Sequence, residues 1–394
     1  MSTETPLFKR IKRHVIGRTR RYFAAVPTGF EPLCLKELTA LPLSIHEATV
    51  VNGGGEFSGC LQDCYLANLH LRTASRILLR ITAFTSTNFR QLEKKIAAIP
   101  WELYLHGNSL PQIHATTSHC RIYHTGAIAN RFLEGITGYL GRPENSDAQN
   151  QTAPSSQRIY VRGIDDRFTV SIDSSGANLY KRGLKKHPGT APLRETLAAA
   201  SLMLAGYDTK QPLVDPMCGT GTFSLEAALM AKNIPPGWYR NFAFSGWPSY
   251  QEKRFEHLRQ QAGNYFARPA KPLIFASDHD PTACRRLAHC TNRHGLSDTV
   301  EIAKRDFFEL SPREFATGTG MIAINPPYGQ RIGTRPQSAR LYKAICNKLE
   351  TDFKGWKLVL IAAEKKVADT IPFRLKRHRF AHGGLKLYLM IGKI

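Results

Sequence analysis

"PLVDPMCGTGTFSLEAALMAK", residues 212–232, sets three kinds of segment in a row. Leu213 and Val214 make a short apolar strand ending on Asp215, Gly219 and Gly221 make a glycine loop, and the Leu, Ala and Met run after Thr222 favours a helix. In such a turn backbone N–H groups can approach a ligand closely at the start of a helix. The same order returns downstream: "LIFASD" (273–278) leads into "PTACRRLAHCTNRHG" (281–295), and "MIAINPP" (321–327) into a helix around "ARLYKAICNKLE" (339–350). "KLVLIAA" (357–363) and "LKLYLMIG" (385–392) close the pattern. Alternation of this kind predicts an α/β fold, a mostly parallel sheet wrapped by helices, with any ligand beyond the carboxyl ends of the strands. Those ends carry Asp215, Asp278, Asp306 and Asn325.

The loop narrows the choice of ligand. A dinucleotide fingerprint needs a third glycine where Ser224 stands and an acid about 20 residues on, whereas the matching acid, Asp278, lies much farther along. A P-loop needs Gly-Lys-Ser/Thr, which does not follow. An adenosyl ligand without phosphates passes both tests. A carboxylate at Asp278 can accept both ribose hydroxyls; Asp306 of "KRDFF" can accept an adenine amino group, with Phe307 flanking the ring. A lone Asp at a strand end is otherwise a turn or helix cap.

"INPPYGQRIG", residues 324–333, sets Asn325 and Tyr328 around two prolines. Pro326 and Pro327 fix φ and restrict the residue before them, so the carbonyls of Asn325 and Pro326 become rigid acceptors. Taken alone, the stretch is equally compatible with a stiff turn after a strand.

The first half of the chain has another rhythm. "RRYFAAVP" (20–27) reads as a strand, "GFEPLCLKELTAL" (29–41) as a helix, "SIHEATVV" (44–51) and "GGGEFSG" (53–59) as strands, "LQDCYLANLHLRT" (61–73) as a helix and "SRILLRITAF" (75–84) as a strand. The order β-α-β-β-α-β fits a ferredoxin-like unit. A second α/β module follows, with helices at "FRQLEKKIAAI" (89–99) and "GAIANRFLEGITGYL" (126–140), and strands at "PQIHATT" (111–117), "RIYVRGI" (158–164) and "RFTVSIDSS" (167–175). The polar stretch 142–157 reads as a solvated excursion. These patterns divide the chain into a basic arm (1–20), a ferredoxin-like module (21–86), a second module (87–175), a linker (176–192) and the strand-helix domain (193–394). The cluster Trp238, Tyr239, Phe242, Phe244 and Trp247 reads as apolar packing under a loop, with a base-stacking platform as the alternative.

Lys and Arg number 54 against 31 Asp and Glu, a formal charge of +23, which favours a polyanionic partner, nucleic acid first. The arm alone carries Lys9, Arg10, Lys12, Arg13, Arg18 and Arg20 and reads as a flexible nucleic-acid contact, with a targeting segment as the alternative. Apolar runs fall well short of the roughly 18 residues of a membrane span. The eight cysteines include no C-x-x-C pair, so a metal site is not expected; reduced thiols suggest a reducing compartment, most simply the cytoplasm.

Together "DPMCGTGT", "SDHDP", "RDFF" and "NPPYGQRIG" resemble Rossmann-type S-adenosylmethionine-dependent methyltransferases of the amino-methylating kind. Upstream, "RGLKKHPGTAPLRETLAAA", "WELYLH", "LRTASRILLR" and "YFAAVPTGFEPLCLKEL" resemble the THUMP-containing ribosomal RNA guanine-N2 methyltransferases, so that nearly the whole chain after the arm is covered. The resemblance implies a THUMP-like RNA-binding role for 87–175 and S-adenosyl-L-methionine held by Asp215, Pro216, Cys218, Gly219, Thr220, Gly221, Asp278, Asp306, Phe307 and Asn325. It further implies that Asn325, Pro326, Pro327 and Tyr328 carry catalysis, on a guanine of 23S ribosomal RNA. Some relatives carry a second methyltransferase domain; with the sequence ending at Ile394, that second activity is not expected. The arm and the 141–157 excursion match no feature of the family. Transfer RNA is the nearest rival substrate, DNA adenine and protein glutamine are disfavoured by the upstream half and the basic charge, and a non-catalytic RNA-binding assembly factor is the alternative from another class.

Overall fold

The computed structural model describes residues 5–42, 47–107, 109–141, 157–185, 193–327, 335–382 and 385–394. Residues 142–156 of the expected excursion, part of the linker and Tyr328 with the residues up to 334 lie outside this set. The chain divides into two units that interleave in sequence: Pro27–Leu33 belongs with the C-terminal half and Arg240–Arg259 with the N-terminal half. The contiguous boundaries expected from the sequence are redrawn to that extent. Packing partners distant in sequence hold the two exchanged segments, and composition gives no sign of that.

In the first unit, strands β1 (Arg20–Ala25), β2 (Ala48–Val51), β3 (Gly54–Gly59) and β4 (Arg76–Thr85), with helices α2 (Glu31–Ala40) and α3 (Leu61–His70), follow the ferredoxin-like order. Strands β5 (Gln112–Ser118), β6 (Arg158–Ile164) and β7 (Arg167–Asp173) do not form a separate sheet. β7 pairs antiparallel with β4, giving one seven-stranded sheet of order β2-β3-β1-β4-β7-β6-β5. Helices α4 (Phe89–Ala97) and α5 (Thr125–Leu140) bury Leu92, Ile96, Ile128, Phe132 and Ile136 at helical spacing.

The expected flexibility of the N-terminal arm is corrected over residues 6–16. Pro6–Ile11 forms helix α1, capped by the Thr5 hydroxyl, and a wider helical turn continues over Lys12–Ile16. Ile11 and Val15 are buried in the first unit's core. Two apolar residues four apart face inward while the cations face out, so a segment that composition suggests is flexible is a packed helix. Phe242, Phe244 and Trp247 are buried in the same core beside Tyr65 and Phe255, which excludes these three as a stacking platform.

The second unit has seven strands in the order β10-β9-β8-β11-β12-β14-β13. β8 (Leu213–Asp215), β9 (Ile274–Asp278), β10 (Val300–Lys304), β11 (Met321–Ile324) and β12 (Lys357–Ala362) are parallel; β13 (Leu375–His382) and β14 (Leu385–Lys393) complete the sheet antiparallel. Successive strands run outward from β8 to β10, and β11 returns to the other flank of β8. That reversal leaves a crevice beyond the carboxyl ends of β8 and β11, where open α/β sheets take ligands. The near-continuous apolar runs of β11 and β12 are buried, as strands covered on both faces require. Helix α6 spans Glu195–Leu204, α7 Thr222–Ala231, α9 Pro281–Arg293 and α10 Arg335–Asp352, whereas α8 (Glu252–Gly263) falls mostly in the segment that belongs with the first unit. Among the described residues no helix is long and apolar enough to cross a membrane, and no group of three or more His, Cys, Asp or Glu is placed to hold a metal. All eight cysteines are free thiols.

Candidate active site

The four strand-end residues named from the sequence converge on one cleft of about 520 Å³, lined among others by Asp215, Asp278, Asp306 and Asn325. Pro216, Cys218, Gly219, Thr220, Phe307 and Pro327 line it too. Gly221 and Pro326 are not among its lining residues but are each flanked in sequence by two that are, and Tyr328 lies outside the described residues.

The glycine loop owes its shape to two left-handed residues, Gly219 at φ +52° and Gly221 at φ +71°. A β-carbon at Gly221 would stand 2.3 Å from Leu287 of α9, so this glycine is required by packing as well as by conformation. At Gly219 a β-carbon would meet nothing within 4 Å, which leaves only the conformational requirement. Lys185, from the "RGLKKH" segment, donates to the hydroxyls of Thr222 at 2.9 Å and Thr220 at 3.3 Å and pairs with Glu195 at 3.3 Å, pinning the loop from behind.

The carboxylates have different environments. Asp215 is 1 % exposed and accepts from the Ser224 hydroxyl at 2.6 Å and its N–H at 3.2 Å, so it ties β8 to the first turn of α7. Burial pushes its carboxyl up to about 7. Asp278 accepts from the Gly219 N–H and the Asp280 N–H, each at 2.9 Å, and keeps further lone pairs for a ligand. Asp306 is exposed and accepts from the Phe308 N–H at 2.9 Å, the short-range cap weighed above, while still lining the cleft. The Phe307 ring is buried against Phe353, with centroids 6.2 Å apart, whereas Phe308 is exposed. A hydrogen bond with Cys284 holds the Cys218 thiol well above its ordinary range, so it stays protonated.

Asn325 follows the last residue of β11, and its Oδ1 is buried with no hydrogen-bond partner among the described residues. A buried acceptor left unmade costs about 1–3 kcal/mol, and native structures keep few of them. This one lines the cleft.

Sequence reasoning missed Leu193, Met217, Phe223, Phe308 and Leu341 in the lining, because apolar wall residues carry no chemical signature. It also missed Arg286, whose helical spacing from Thr282 was the available signal.

With that geometry in hand, comparison with known proteins is decisive. Residues 182–385 match the RMKL-like methyltransferase domain. The chain belongs to that family. Residues 21–78 match the RlmL ferredoxin-like domain. Curated relatives include the ribosomal RNA large subunit methyltransferase K/L of Vibrio parahaemolyticus, 30% identical over 93% of this chain and 52% of the relative, and its namesake from Allochromatium vinosum, 31% identical over 94% and 51%. The chain thus spans about half the length of the curated relatives it matches. Among solved structures, SMU.472, solved in complex with SAH, superposes with a TM-score of 0.81 at 26% identity, covering 95% of this chain and 98% of that one. The two units of the RMKL-like chain thus carry a ferredoxin-like domain in the first and a methyltransferase domain in the second.

Proposed function

We propose that this RMKL-like protein methylates the exocyclic N2 amine of a guanine in 23S ribosomal RNA, with S-adenosyl-L-methionine as cofactor. The observation that carries the reading is the buried Asn325 Oδ1 on the wall of the cleft, without a hydrogen-bond partner among the described residues.

The lining fits such a cofactor. Asp278, Asp280 and Asp306 give the cleft an acidic wall, hostile to phosphates and suited to hydroxyl and amino donors and to a sulfonium cation. Asp278 would take the ribose hydroxyls, Asp306 the adenine amino group, and the left-handed loop at Gly219 brings backbone close to the ligand. When bound, the cofactor supplies an electrophilic methyl group.

The acceptor amine has its lone pair delocalised into the guanine ring, and it becomes positively charged as it is methylated. Asn325 Oδ1 and the Pro326 carbonyl accept its two N–H groups and stabilise that charge most as it develops, which is electrostatic preorganisation. Pro326 and Pro327 hold these acceptors in place. No strong base is needed, since the amine proton becomes acidic only after transfer. Stacking of an extruded base on Tyr328 rests on the sequence motif. The large-subunit names of the curated relatives and the charge of +23 support ribosomal RNA. The 87–175 segment serves as a THUMP-like RNA-binding part, in a cytoplasmic setting.

The test is incubation with radiolabelled S-adenosylmethionine and separated ribosomal RNA, transfer RNA and DNA, followed by digestion. Label in N2-methylguanosine from ribosomal RNA is expected. Label confined to transfer RNA would move the substrate, and none in any pool would favour the assembly-factor alternative.

A further inference from the structure

The sequence "PTACRRLAHCTNR" builds a second feature against the cleft. On α9, Thr282, Arg285, Arg286, His289 and Arg293 fall at i, i+3, i+4, i+7 and i+11, one face of the helix running roughly 16 Å. That face, with Lys185, lines a groove of about 470 Å³. Thr220 and Arg286 line both groove and cleft, so the two share a wall.

The charges divide sharply across that wall. The cleft carries four aspartates, and among the described residues the groove lining contains no acidic residue. Arg285, Arg286, His289 and Arg293 are exposed. Among the described residues none of them has an ion-pair partner; Arg285 only donates to the Thr282 hydroxyl at 3.1 Å. Lys185 is held by Glu195 and the loop threonines and serves as the groove floor. Like charges stacked on successive turns of one helix repel unless an anion lies between them. A concave row of guanidinium groups matches a chain of phosphates.

We infer that the α9 groove grips backbone phosphates of the RNA strand that carries the target base, on the flank of the cofactor cleft. The inference rests on the RNA-methylating reading above and adds to it where the strand runs. Arg285 and Arg293 do not line the cleft, so they bind RNA without touching the cofactor.

The experiment uses the full chain and a protein-free 23S ribosomal RNA transcript, with binding measured across a salt series and methyl transfer followed in parallel. Arg285→Ala/Arg293→Ala is expected to weaken binding several-fold and to flatten the slope of log affinity against log salt by about 1.5, since each lost phosphate contact removes roughly 0.7–0.9. Affinity for S-adenosylmethionine, by calorimetry, should stay at the wild-type value. Arg285→Lys/Arg293→Lys keeps both charges and should keep the wild-type slope, which separates charge loss from misfolding. An unaltered slope in the alanine variant overturns the inference and leaves the groove to an acidic protein partner, and a lysine variant as defective as the alanine one overturns it too. The slope is read whether or not transfer occurs. Failure of the wild type to methylate any RNA refutes the proposed function instead.

Discussion

The Gly219 N–H donates to Asp278 Oδ2 across 2.9 Å, locking the glycine loop to the end of the neighbouring strand. The proposed ribose acceptor therefore also shapes the loop beside it. Asp278→Ala removes this bond, the one from the Asp280 N–H and the ligand contacts together. At about 1.5–3 kcal/mol for each hydrogen bond to a charged group, affinity for S-adenosylmethionine should fall on the order of a hundredfold or more, with the far-ultraviolet spectrum unchanged. Wild-type affinity in the calorimeter would remove Asp278 from the ribose.

Asp215 gives a pH signature. Its carboxyl, ordinarily at 3.8, is pushed up to about 7 by burial, so the folded protein holds this proton more tightly than the unfolded chain does. The resulting stabilisation is full below about 3.8, fades as pH rises through about 7, and is gone above it. Asp215→Asn cannot titrate and still offers Ser224 an acceptor. The unfolding free energy from urea titrations should therefore drop more between pH 5 and pH 8 in the wild type than in the variant, by an amount on the order of a few kcal/mol at most. Equal drops would show that Asp215 is ionised when folded.

The arm helix makes a third expectation. Ile11 is 3 % exposed in the first unit's core, and an Ile→Ala change in a core costs about 2–5 kcal/mol. Ile11→Ala should lower the thermal midpoint measurably even though the residue sits among cations. An unchanged midpoint would return this segment to the status of a loose tail, and a deletion of residues 1–20 must be read with this contribution in mind.

How far the sequence could be read follows from what kind of signal each part leaves. Asp215, Asp278 and Asn325 were legible because each is a polar residue stopping an apolar run, Asp306 because it follows the next strand of the same alternation, and the topology of a parallel sheet gathers such stops at one edge. The joining of β4 to β7 was not legible, since strand partners across some ninety residues leave no local pattern. β13, "LKRHRFAH", was missed because five of its eight residues are Lys, Arg or His outside its buried Phe380, and the strand period is hidden under charge. The groove on α9 was written in the sequence as a helical stripe of cations, but only the fold shows that it borders the acidic cleft.

Asn325 carries the sharpest expectation. Its Oδ1 is a buried acceptor with no partner among the described residues, and an entering amine would be most strongly bound there as positive charge develops. Asn325→Ala should therefore act on the chemical step and spare cofactor affinity, with a fall in kcat on the order of 10²–10³-fold, as when one preorganised hydrogen-bond partner is lost elsewhere. Removing an unpartnered buried acceptor also relieves a desolvation cost, so the variant should be at least as stable as the wild type, which a mere turn residue would not predict. Asn325→Asp keeps an acceptor and should retain partial activity. Single-turnover rates at saturating cofactor and RNA, with thermal midpoints on the same preparations, provide the measurement: wild-type rates in Asn325→Ala would reduce the Asn-Pro-Pro stretch to a rigid turn.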